Sequence, residues 1–145
     1  MQVELKDITV CPTLSQETTA FSAELWLDGK KAADCHNDGN GGSNMLYFAD
    51  QAMVQAFDKF CRSQPPEVTS YGAPLAMDGD LYISLLLEKH QHEKWLAAKM
   101  KKAVLYRLVE DKSDVYRTMV VNKANRKSVV DHLKKKHGAR LVEVH

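Results

Sequence analysis

The sequence has few cysteines and no long hydrophobic run. Its 145 residues include three widely spaced cysteines, Cys11, Cys35 and Cys61, an odd number without the Cys-x-x-Cys pairs of a zinc module. No apolar run exceeds five residues, so no segment is predicted to span a membrane. The first residues lack a basic region followed by an apolar one, so we expect no signal peptide and a cytoplasmic protein.

The remaining composition is that of a globular protein, with 44% apolar and 27% charged residues. The net charge of +1 hides an asymmetry, because residues 1–88 hold 5 Lys/Arg against 13 Asp/Glu, and residues 89–140 hold 15 against 5. Either the acidic and basic halves attract each other, within one fold or between copies in a homo-oligomer, or the basic half faces an anionic partner.

Hydrophobic periodicity predicts a single α+β domain over residues 1–145 in the order βββααββαβ, with antiparallel hairpins packed against three helices. The clearest strand places Phe21, Ala23, Leu25 and Leu27 on one face, and Asp28-Gly29 then predicts a two-residue hairpin turn. The other strands are predicted at 3–10, from 30 to 34 or a little beyond, and at 104–108, 115–121 and 141–144. Helices are predicted at 50–62, from 78 or 80 to 102, and from 122 or 125 to 137. Residues 64–77, with three prolines, are predicted as a structured loop.

The second predicted helix carries an interrupted apolar stripe. The stripe consists of Tyr82, Leu85, Leu86, Leu96, Met100 and Ala103.

Residues 34–44 join the first hairpin to the helical half and form the most biased segment of the chain. Three glycines, three asparagines and two aspartates occur here together with Cys35 and His36. Glycine tolerates positive φ, and Asn and Asp side chains bond to their own backbone, so the segment is either a structural turn or a working surface.

Three ligand chemistries fit this segment poorly. A phosphate loop would need a Gly-Lys-Ser/Thr ending or Gly-x-Gly-x-x-Gly spacing, and Asp34 and Asp38 would repel the anion. A calcium loop would need a glutamate where Met45 stands. Zinc would need Cys35 and His36 with His90 and His92, but histidines two apart on a helix face different sides. No metal and no cofactor are therefore predicted.

Two further functions stay open. The Cys35-His36-Asn37-Asp38 segment could serve a small hydrolase or transferase, although no catalytic motif accompanies it. Residues 123–140 carry a charge of +6, which forms a basic face suited either to solvent or to nucleic-acid phosphates. The basic face consists of Lys123, Arg126, Lys127, Lys134 and Lys135.

Several segments together resemble a family of small uncharacterised proteins from bacteria, phages and mobile elements. They are residues 14–25, Asp28-Gly29-Lys30-Lys31, the Asn-Asp-Gly-x-Gly-Gly loop at 37–42, residues 104–108 and the helix end His137-Gly138. The resemblance implies a phage or mobile-element accessory protein, a class whose members often bind and inhibit host machinery or defence systems.

We therefore predict a non-enzymatic binding module whose partner is a host protein or nucleoprotein. The first alternative is nucleic-acid binding by the basic face, and the second is the hydrolase or transferase. The predicted binding residues are Asn37, Asp38, Gly39, Asn40, Gly41, Gly42 and Asn44.

Overall fold

The computed structural model describes residues 1–121 and 125–145 and confirms the α+β class. Residue contacts divide the chain into two compact units, Met1–Lys89 and His90–His145, and the boundary falls inside one long helix. The prediction of one domain stays a prediction, and the two units are described separately. Among the described residues, no helix is both long and apolar enough to cross a membrane.

A four-stranded antiparallel sheet in the order β1-β2-β3-β4 forms the base of the first unit. Its strands are β1 (Val3–Val10), β2 (Phe21–Leu27), β3 (Lys30–Asn37) and β4 (Met45–Phe48). The β2–β3 turn is confirmed, since Asp28 and Gly29 have φ values of 49° and 78°. Strand β3, predicted to end at Asp34 or a little beyond, ends at Asn37. β4 was not predicted because four residues carry too little periodic signal.

Two helices cover the apolar face of this sheet, α1 (Gln51–Arg62) and the first part of α2 (Gly79–Met100). The predicted inward residues of β2 are all buried. The side chain of Asp50 caps α1 by accepting a hydrogen bond from Ala52 N–H, as predicted. From α2 the buried side chains are Ile83 and Leu87, which the predicted stripe did not include.

The segment between α1 and α2, predicted as a loop, contains a short hairpin. Its strands are β5 (Glu67–Val68) and β6 (Pro74–Leu75). Gly72, at a φ of 78°, lies in the connecting turn.

The second unit is a three-stranded antiparallel sheet in the order β8-β7-β9, with one helix packed on it. The elements are β7 (Ala103–Leu108), β8 (Arg117–Val120), α3 (Arg126–His137) and β9 (Leu141–Val144). Leu133 of α3 packs with Val104 and Val121 in a small core, and Gly138, at a φ of 54°, follows the helix as predicted. Asn122, the earlier of the two predicted starts of this helix, and the basic-face residue Lys123 lie outside the described residues.

Candidate functional site

The glycine-rich loop between β3 and β4 is organised around the side chain of Asn37, which is buried at 8% exposure. Its Oδ1 accepts hydrogen bonds from the Thr18 hydroxyl and the Gly39 N–H, both at 2.8 Å. Its Nδ2 donates to the Gly42 carbonyl at 3.0 Å and to Asn44 Oδ1 at 3.1 Å. One buried amide therefore fixes both ends of the loop, since its donors and its acceptor are all used.

Gly39 locks the loop onto the connection between β1 and β2. Its carbonyl accepts hydrogen bonds from the backbone N–H groups of three consecutive residues, Gln16, Glu17 and Thr18. Its φ is 84°, and a Cβ atom added there would stand 2.2 Å from the Leu14 carbonyl oxygen. Only glycine fits this position, because both the backbone angle and the close approach exclude a side chain.

Asn44 ties the other end of the loop to α2. Its backbone N–H donates to Asp80 Oδ1 at 2.9 Å, and its Nδ2 donates to the Asp80 carbonyl and the Ser84 hydroxyl. Three of the seven predicted binding residues, Asn37, Gly39 and Asn44, thus hold the loop in place.

The other four, Asp38, Asn40, Gly41 and Gly42, are exposed. The Asp38 side chain is 80% exposed, and its carboxylate lies 3.8 Å from His36 Nε2. Within the described part of the chain, the Asn40 side chain makes no hydrogen bond. The Asp38 and Asn40 side chains therefore lie in solvent, while Asn37, Gly39 and Asn44 hold the loop backbone.

A groove of about 490 Å³ runs beside the loop at one end of the outer sheet face. Its polar lining consists of Thr9, Cys11, Ser22, His36, Asn37, Asp38 and Asn40. The pairing Thr9–Ser22–His36 across three strands explains why these side chains share one face. The His36 ring stacks on Tyr47 of β4, with centroids 5.5 Å apart and planes 9° apart. The groove offers hydroxyl, imidazole, carboxylate and amide groups within the size range of ligand pockets.

The three thiols differ in their surroundings. Cys35 lies in the core, and burial raises its pKa to about 12, so it forms almost no thiolate at neutral pH. Cys61 is also in the core, where burial raises its pKa to about 11. Cys11 lines the groove, and its hydrogen bond with the Thr13 hydroxyl lowers the pKa of the thiol below its usual value. From the sequence, Cys35 was the candidate thiol and Cys11 was not, because the position of Cys11 in the groove depends on contacts with residues remote in sequence.

No group of three or more His, Cys, Asp or Glu side chains among residues 1–121 and 125–145 could hold a metal ion.

The predicted basic face is divided between structural and free side chains. Arg126 donates to the backbone carbonyls of Met100 and Ala103, so it serves the packing of the second unit. Lys127, Lys134 and Lys135 are exposed on α3.

No family model, no curated protein and no solved structure matches this chain. The resemblance to phage and mobile-element accessory proteins and the homo-oligomer inferred from charge therefore stay predictions.

Proposed function

We propose that this protein is a non-enzymatic binding module that recognises a host protein or nucleoprotein through the glycine-rich loop and the adjacent groove. One observation carries the proposal: the loop is fixed from inside by Asn37, while Asp38 and Asn40 face solvent at the groove. A surface that is already ordered loses little conformational entropy on binding, so its contacts contribute more fully to affinity.

The charge of the first unit indicates the chemistry of the partner. Residues 1–89 hold 6 Lys/Arg against 13 Asp/Glu, a balance of −7. A negative field attracts a partner with a basic or donor-rich surface and repels nucleic acid from this side of the chain. Asp38 and the amide of Asn40 would accept hydrogen bonds from such a surface.

A role in blocking host machinery or a defence system follows from the resemblance of the Asn-Asp-Gly-x-Gly-Gly loop to mobile-element accessory proteins. A blocking protein needs affinity and a fixed shape but no reactive group. The buried state of Cys35 favours this role over the hydrolase or transferase, because that alternative took its thiol from the loop.

The experiment is a pull-down from bacterial host lysate with parent, Asp38→Ala and Asn40→Ala baits, followed by mass spectrometry. For a protein retained by the parent, each variant should bind it more weakly by about 1 kcal/mol or more, the usual threshold for a contact that matters. The matched controls are Glu67→Ala and Gln55→Ala, which remove an exposed carboxylate and an exposed amide elsewhere in the first unit.

Thermal melts of all baits separate binding from folding. The free energy of unfolding of both loop variants should lie within about 0.5 kcal/mol of the parent's, since neither side chain holds the loop. If both variants are folded and retain the partner as fully as the parent does, the loop is not the contact surface.

A further inference from the structure

The second unit contains a group of aromatic rings that sequence analysis did not identify. Tyr116 lies at the centre, with the rings of Trp95, His92 and His145 at centroid distances of 5.8, 5.9 and 6.0 Å. Trp95 is 43% exposed, and the His92 ring lies nearly parallel to it, at 24°. We call these four residues the aromatic patch.

A single carboxylate, that of Glu143, anchors two of the four residues of the patch, Tyr116 and His145. Glu143 Oε2 accepts a hydrogen bond from the Tyr116 hydroxyl at 2.8 Å and lies 3.1 Å from His145 Nε2. Arg107 donates twice to the other oxygen of Glu143, at 2.7 and 3.2 Å. The arginine neutralises this carboxylate, and its two hydrogen bonds restrain it, so the Tyr116 ring is held without a free negative charge beside it.

The charge around the patch is positive and mostly unpaired. Residues 90–145 hold 14 Lys/Arg against 6 Asp/Glu, a balance of +8. All four arginines in this range bond to carboxylates or to backbone carbonyls. By contrast, nine lysines among the described residues of the second unit are exposed and free of ion pairs, whereas only three acidic side chains of this unit are. Lys99, one of these lysines, lies four residues after Trp95 and therefore on the same side of α2.

We propose that the second unit binds single-stranded nucleic acid, with bases stacking on Trp95 and His92 and phosphates contacting Lys99 and the other free lysines. Exposed aromatic rings in a positive field are what single-strand binding requires, because stacking is tolerant of sequence and lysines follow the backbone. A duplex hides its base faces and cannot use the rings. An acidic polypeptide could use the lysines but would gain little from the indole.

The experiment is fluorescence anisotropy of labelled single strands of about 12 nucleotides, one DNA and one RNA of the same sequence. The full chain is titrated beside Trp95→Ala, Trp95→Phe and Lys99→Gln variants. We expect Trp95→Ala to weaken binding about tenfold and Trp95→Phe to retain most of it, because the aromatic face remains. Lys99→Gln should lower the slope of log K against log salt by about 0.7, the share of one phosphate contact on a single strand.

The controls are Trp26→Phe and Lys30→Gln in the first unit, which should bind like the parent. Binding of the DNA, the RNA or both with this dependence on Trp95 supports the proposal and identifies the sugar that is accepted. Absence of binding, equal binding by folded Trp95→Ala, or tighter binding to the matching duplex would overturn it. Competition by poly-glutamate as effective as competition by unlabelled single strand would also overturn it, since that result assigns the lysines to an acidic polypeptide.

Discussion

Replacing Asn37 with alanine should lower the free energy of unfolding more than replacing Asp38 or Asn40, the exposed side chains of the glycine-rich loop. The amide makes four hydrogen bonds, and one of its donors, the Gly39 N–H, is buried. Each such bond contributes about 1 kcal/mol net, and a buried donor left without a partner costs about 1–3 kcal/mol. The Thr18 hydroxyl and the Gly42 carbonyl can bond to water instead, which reduces the loss. We therefore expect Asn37→Ala to lower the free energy of unfolding of the first unit by about 2–4 kcal/mol.

The two tryptophans make the measurement specific, because Trp26 lies in the first unit and Trp95 in the second. In a Trp95→Phe background, urea unfolding followed by Trp26 fluorescence reports on the first unit alone. With an m value of about 1–2 kcal/mol/M, the unfolding midpoint of Asn37→Ala should fall by at least about 1 M.

Two further variants in the same background complete a graded series. Thr18→Val removes one of the four bonds to Asn37 and should cost about 1 kcal/mol. Asn40→Ala removes an exposed amide and should change the free energy of unfolding by less than about 0.5 kcal/mol. If Asn37→Ala stays within 0.5 kcal/mol of its parent, or if Asn40→Ala costs as much, the assignment of Asn37 as the organising residue is wrong.

Gly39→Ala should lower the melting temperature of the first unit strongly, at a cost of about 3 kcal/mol or more, because a Cβ there meets the Leu14 carbonyl; a near-parental melt would contradict this close approach. Gly29→Val should cost about 1–3 kcal/mol in urea unfolding, since a β-branched residue fits a φ of 78° badly. Hydrogen bonds from Arg107 hold the pKa of Glu143 down at about 2, so its stabilisation is full above the ordinary glutamate pKa and is lost as pH falls through 2; Glu143→Gln should remove this acid dependence from unfolding of the second unit. Dialysis against a strong chelator should leave the melting temperature unchanged.

The regular elements with strong periodicity were predictable from the sequence, whereas the short strands and the buried positions of α2 were not. Strand β2 alternates over seven residues, so its inward face could be read directly. Helix α2 is apolar from Leu81 to Leu87 except at Ser84, and neighbouring residues there are similarly hydrophobic. Periodicity could not select Ile83 and Leu87 as the buried pair, because tertiary packing decides that choice.

The candidate site was located by its composition, but the roles within it depend on contacts across the fold. Asn37 and Asn40 are both asparagines in one loop, and nothing local distinguishes them. Asn37 becomes the buried one because Thr18, nineteen residues earlier in the chain, and Asn44 meet at its side chain. The aromatic patch was harder to predict, because Tyr116 and His145 are remote in sequence from His92 and Trp95 of α2, and only folding brings them together.

The structure also changes the question that the sequence posed about the loop. From the composition of residues 34–44 alone, a structural turn and a contact surface were alternative interpretations. In the fold the two roles fall on different residues, with Asn37, Gly39 and Asn44 facing inward and Asp38 and Asn40 facing solvent. The roles support each other, because an exposed amide on a loop without an inner anchor would lose conformational entropy whenever it bound. Substitutions of the anchors should therefore weaken binding only as far as they disorder the loop, whereas substitutions of the exposed pair should weaken binding in a fully folded protein.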